Sequence, residues 1–168
     1  MVQRPPEVWM RGAIPGYPAL LQPVVHSLLQ SLEEVQRHIA SVDPERLWAR
    51  PHGAASAGYH VGHAAGSLDR LLTYARGEQL SAAQFAALKQ EGEPDMAPDA
   101  AIRLADEFAR AIERGLAQVS ETSEWTLGEP RAVGRAQLPS TVLGLLFHAA
   151  EHTQRHMGQM VITLKIVG

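Results

Sequence analysis

The chain has 168 residues, no cysteine and a formal net charge of −3. That length suits one domain, residues 1–168, with a core of its own. The missing thiols exclude disulfides and cysteine-ligated metals, leaving histidine, carboxylate and water as ligands, and with scattered charge and no basic tail nothing favours a nucleic-acid-binding footprint.

The first residues, MVQRPPEVWMRG, lack the apolar core of a signal peptide, and no uninterrupted apolar run reaches the roughly 18 residues of a membrane span. A soluble cytoplasmic protein is therefore expected. Pro5, Pro6, Pro15, Pro18 and Pro23, with Gly12 and Gly16, predict an irregular arm over residues 1–23. Trp9, Tyr17 and Leu20 are expected to tack that arm to the core. From Val24 to Val42, Val25, Leu28, Leu29, Leu32, Val35, Ile39 and Val42 keep the i, i+3, i+4 rhythm of a first helix. Asp43 and Pro44 close it and open a short turn through Trp48.

A second helix is predicted to begin near Ala54 to Ser56 and run to Arg76, ended by Gly77. Ser81 with Gln84 forms a capping-box pattern for a short helix that ends near Gly92. A third long helix, about Pro98 to Val119, repeats the apolar rhythm with Ala101, Leu104, Phe108, Ala111, Ile112 and Leu116. Gly128, Pro130, Gly134 and Pro139 then favour a loop or small hairpin. Ser140 or Thr141 caps a last helix reaching about Ile166. Being apolar nearly all round, it is expected to be the most buried. Four long helices with polar connections predict an all-α protein, an antiparallel four-helix bundle.

The last helix carries FHAAEHTQRHMGQ, which places His148, His152 and His156 at four-residue intervals. Each such step turns only about 40°, so the imidazoles form one stripe, one turn apart. A weak helix former whose ring needs a polar partner calls for a reason when it recurs in register, and a divalent cation supplies one. The second predicted helix adds His60 and His63, within SAGYHVGHAAGS. Measured from the midpoint of His152 and His156, His148 lies about 60° away and Gln159 about 40° away. Two neighbouring histidines plus one from the second helix make a three-nitrogen site with room for water or substrate. His148 is then an alternative ligand or a partner behind the ligands. His60 points about 60° from His63, which favours a supporting role. Tyr59 and Ser67 flank His63 one turn to either side, and Arg70 follows two turns on. Ala57, Gly58, Gly62, Ala64, Ala65 and Gly66 are small enough for two helix backbones to approach closely.

Each assignment has a plainer competitor. His152 and His156 also fit core histidines bonded to each other or to backbone, and Arg70 also fits a solvated cation near a helix end. Met157 and Met160 read as core filling. HAAEH matches the H-x-x-E-H zinc-peptidase string, but only sixteen residues follow His152, too few for the usual distant third ligand. Glu151 moreover points about 120° from the His152/His156 face.

The S-x-G-Y-H-x-x-H string, together with H-x-x-x-H followed by M-G-Q in the last helix, resembles the DinB/YfiT-like superfamily of four-helix-bundle metalloproteins. The resemblance extends from the Pro-rich arm through SLDRLLTYARG to LPSTVLGLLFHAAEHTQRHMGQ. It implies one divalent metal, zinc or nickel, held by His63, His152 and His156. His60 and His148 are additions to the simplest family pattern. The resemblance also implies metal-dependent transfer of a low-molecular-weight thiol, or hydrolysis of a small substrate, and a homodimer paired through helices.

Three neutral imidazoles leave the ion its full 2+ charge, so a water or thiol bound to it loses a proton near neutral pH. Gln159 and Tyr59 are placed to orient a small-molecule substrate, and Arg70 to hold a carboxylate. No acid lies on the ligand faces to act as general base, which favours thiol chemistry. With no cysteine in the chain, the thiol has to be a diffusible cosubstrate. The alternative is a non-catalytic metal or small-ligand binding module, closed by His60 or His148 as fourth ligand.

Overall fold

A computed structural model describes residues 5–168, so the first four residues of the expected arm lie outside it. Among the described residues there are six α-helices, a few 3-10 turns and one two-stranded antiparallel sheet. The helices are α1 (Gln22–His38), α2 (Pro44–Trp48), α3 (Ala57–Ala75), α4 (Ala82–Gln90), α5 (Ala100–Glu121) and α6 (Val142–Ile166). The strands are β1 (Pro130–Val133) and β2 (Leu138–Thr141), paired from Pro130 opposite Thr141 to Val133 opposite Leu138.

The four long helices share one core. α3 packs on α6 and α5, and α1 packs on the same two. The apolar stripes read from the sequence face inward: Val25, Leu28 and Val35 from α1, with Ile39 just after it, share a core with Phe108 and Ile112 from α5 and Met157 and Met160 from α6. Ser27 Oγ donates to the Ala150 carbonyl at 3.1 Å, joining α1 to α6 near the middle of α6.

The helix boundaries have local causes. The Ser56 hydroxyl accepts the Tyr59 amide at 3.1 Å and starts α3, while Gly77 at φ 80° turns the chain out after it, a conformation that favours glycine. Ser81 and Gln84 form the reciprocal capping box that starts α4. Thr141 accepts the Gly144 amide at 3.0 Å and starts α6 at the end of β2. The Arg131 guanidinium, from β1, donates to the Ala75 carbonyl at 2.8 Å, so the hairpin that launches α6 is tied to the end of α3. The two histidine-bearing helices are thus fixed to each other at one end.

Three expectations are corrected here. The segment from Pro44 to Trp48 is a helix rather than a turn, because Asp43 accepts the Arg46 amide at 2.9 Å and Pro44 suits a first helical turn. The arm is anchored by Val8 and Leu21 together with part-buried Tyr17, while Trp9 and Leu20 are each 63% exposed. The most buried helix is α3, with 12 of 19 residues buried against 11 of 25 in α6. The outward face of α6 leaves Leu143, Phe147, Ile162 and Ile166 in solvent. An apolar composition gave no sign of which side the neighbouring helices would cover.

Candidate metal centre

α3 and α6 lie against each other over much of their length, and this contact brings their histidines together. His63 Nε2 and His152 Nε2 are 3.1 Å apart. The His156 ring centroid is 4.6 Å from both the His63 and the His152 centroids. One nitrogen from each of these residues can be chosen so that all three lie within 4.8 Å of one another. The separation of the two Nε2 atoms is close to the roughly 3.3 Å edge of a tetrahedron with metal–nitrogen bonds of about 2.0–2.1 Å. His152 Nδ1, on the other side of its ring, is buried and has no hydrogen-bond partner among the described residues. Each neutral ring leaves one nitrogen with a lone pair, so three converging rings can offer three lone pairs to one cation. The donor set therefore fits a divalent ion.

The electrostatics point the same way. Burial, followed by the neighbouring His63, His152 and His60, pushes the His156 pKa down to about 3. His152 is lowered by burial and then by His63, and His60 by burial and then by His63. Neutral imidazoles are the form that binds a metal.

The remaining histidines stand around this group. His60 is buried and its Nδ1 meets His156 Nδ1 at 3.0 Å, so it backs one ligand candidate from behind. His148 is exposed and bonds Glu151 at 2.7 Å, its ring 5.4 Å from that of His152. Glu151 also takes both bonds from Arg155, which holds it on the outer surface of α6. Tyr59 stacks on His63, with ring centroids 5.3 Å apart and planes 12° from parallel. Ser67 is buried on α3. Gln159 is exposed and, with His60, Arg155 and Ile162, lines a cavity of about 840 Å3.

Glu91, the residue that caps the end of α4, went unread in the sequence. Its Oε2 accepts from His63 Nδ1 at 2.7 Å and its Oε1 pairs with Arg70 Nη1. Burial pushes its carboxyl pKa up, but the bonds from His63 and Arg70 outweigh this and hold it below the usual value. Two expectations are revised by this contact. An acid does reach the cluster, from outside the two histidine helices, and Arg70 is a largely buried partner of that acid rather than a solvated cation or a free anion hook. The only trace of this in the sequence was a glutamate at the end of the predicted short helix.

The small residues of α3 also serve other purposes than close approach to α6. A Cβ on Gly58 would sit 3.0 Å from the Trp48 ring, one on Gly62 would meet Leu104 of α5, and one on Gly66 would strike the Glu91 carboxylate.

A histidine from one helix facing an H-x-x-x-H pair on a second, within a mostly helical fold, is the arrangement the family resemblance called for. The DinB superfamily model matches residues 22–160. The chain belongs to the DinB superfamily. No curated protein matches it significantly. All three clustered histidines, and Glu91 with them, fall inside the DinB-matched region. No helix among the described residues is long and apolar enough to cross a membrane.

Proposed function

We propose that this is a metal-dependent enzyme of the DinB superfamily that binds one divalent ion, zinc or nickel, through His63, His152 and His156. On this reading it transfers a low-molecular-weight thiol to a small electrophile or hydrolyses a small substrate. The observation that carries the reading is the convergence of the three rings, with one nitrogen of each inside a 4.8 Å group. The ion would supply Lewis acidity, lowering the pKa of a water or a thiol at the site.

The protein's own groups have simpler tasks. Neutral His156 and His152 offer lone pairs, His60 steadies His156, and Tyr59 covers one face of His63. The cavity beside His60 is of a size for a small molecule, and Gln159 and Arg155 supply its polar rim. Glu91 sits against His63 Nδ1, behind the ring, and Glu151 is engaged with His148 and Arg155. Neither is placed as a general base, which favours a diffusible thiol over hydrolysis. The fold we assign is an antiparallel four-helix bundle of α1, α3, α5 and α6 in a single domain.

The alternative, a non-catalytic binding module, needs a fourth protein ligand. His60 and His148 were the candidates, and neither belongs to the group whose nitrogens lie within 4.8 Å of one another. That supports an open site.

We further propose a homodimer through the outer face of α6. An antiparallel copy of α6 centred between Gln154 and Arg155 sets Leu143 of one copy against Ile166 of the other, and Phe147 against Ile162. It also brings Glu151 of each copy toward Arg155 of the other, so the apolar and charged positions are both self-complementary.

The test is metal analysis of protein purified without a histidine tag, then a thiol-conjugation screen on the metal-loaded protein. About one ion per chain is expected. No bound metal after incubation with zinc or nickel would overturn the assignment.

A further inference from the structure

The short helix α4 presents a puzzle of attachment. None of its nine residues is buried, so apolar packing does not hold it on α3. Polar contacts at its two ends do. Near the start, Gln84 Nε2 donates to Asp69 Oδ2 at 2.6 Å and Thr73 Oγ1 at 2.8 Å. At the finish, Glu91 reaches His63 and Arg70. The Glu91 carboxylate lies directly over Gly66, where a Cβ would collide with its Oε1 and come within 2.8 Å of Arg70 Nη1. His63, Gly66 and Arg70 are spaced i, i+3 and i+7 along α3, so they lie on one face. Gly66 leaves a notch in that face, His63 and Arg70 border it, and Glu91 fills it.

The chemistry of this arrangement decides which His63 nitrogen is free. An ionised carboxylate only accepts hydrogen bonds, so His63 Nδ1 carries the hydrogen and Nε2 keeps its lone pair in the neutral ring. Nε2 is also the atom 3.1 Å from His152 Nε2, on the side of the cluster. Resting on the three-histidine reading above, we propose that Glu91, seated in the Gly66 notch and clamped by Arg70, is a positioning residue that fixes the His63 ring and its tautomer so that Nε2 is offered to the metal. It also makes the docking of α4 and the readiness of the metal centre one event. An outer partner of this kind is worth about 10- to 100-fold in metal affinity.

The experiment measures zinc affinity by chelator competition for the wild-type chain, Glu91→Gln, Gly66→Ala and, as a control on a nearby exposed acid, Glu93→Gln. Helix content is checked by circular dichroism. Glu91→Gln and Gly66→Ala should each weaken zinc binding by about 10- to 100-fold, and Glu93→Gln should leave it unchanged. Wild-type affinity in both Glu91→Gln and Gly66→Ala would overturn the proposal. A second readout needs no variant and no metal: the ring 15N shifts of His63 in the metal-free wild-type protein. A ring held with its hydrogen on Nδ1 supports the assignment, and a hydrogen on Nε2 or an even mixture overturns it. This also separates the two claims. A chain that binds no zinc but holds His63 in the Nδ1–H form loses the metal reading and keeps Glu91 as the group that fixes the His63 tautomer.

Discussion

His63 Nε2 and His152 Nε2 face each other at 3.1 Å across the contact between α3 and α6, from residues 89 positions apart. In the metal-free protein one of the two has to carry a hydrogen for the contact to be favourable. With a divalent ion bound, both would offer a lone pair to the same cation. Replacing His156 by alanine leaves two ligands on two helices, so stoichiometric zinc should be lost on gel filtration. Replacing His148, which is exposed and held by Glu151, should leave affinity within about twofold. Zinc retained at one per chain by His156→Ala, or lost by His148→Ala, would move the ligand set.

Acid should attack this cluster first. The His156 pKa is depressed to about 3, far below the usual value of about 6.5. The unfolded chain therefore binds more protons than the folded one between these values. Stability from this group is complete above about pH 6.5 and falls as pH drops toward 3. Bound metal competes for the same nitrogens and should leave over the upper part of that window. Thermal melts of the metal-free protein from pH 8 to pH 4 should show Tm falling below about pH 6.5, and His156→Phe should flatten that slope.

The core makes a separate prediction. Phe108 is fully buried between α5 and its neighbours. Phe108→Ala should cost about 3–5 kcal/mol in denaturant unfolding.

Phe147 tests the pairing of two chains. It is 59% exposed on the outer face of α6. Sedimentation of the wild-type protein at micromolar concentration should give twice 18.3 kDa. Phe147→Ser should give a monomer without loss of helix content, and a wild-type monomer would refute the interface.

The long helices were legible because each carries an apolar stripe of helical period and ends on a strong local signal, such as Ser56 before α3 or Thr141 before α6. The three clustered histidines were legible for the same reason, since their spacing fixes a face before any partner is known. Glu91 was not. Its role depends on where a helix that buries nothing is laid down, and that is set by Gln84, Asp69 and Thr73 across a turn. The work of Gly58 and Gly66 was hidden likewise, because a glycine records a neighbour's approach without naming the neighbour. The outward face of α6 misled because apolar residues with no neighbour in one chain look the same, in sequence, as those of a core.

The 89-residue separation between His63 and His152 also bears on how the protein is made. α3 can form on the ribosome soon after it emerges, with His60 and His63 already in place, but the nitrogens opposite them are supplied only once α6 has been synthesised and has docked. Neither half offers more than a weak, incomplete site. On the three-histidine proposal, metal capture would follow folding of the surrounding helices, and a nascent chain pulled down before α6 has emerged should carry none.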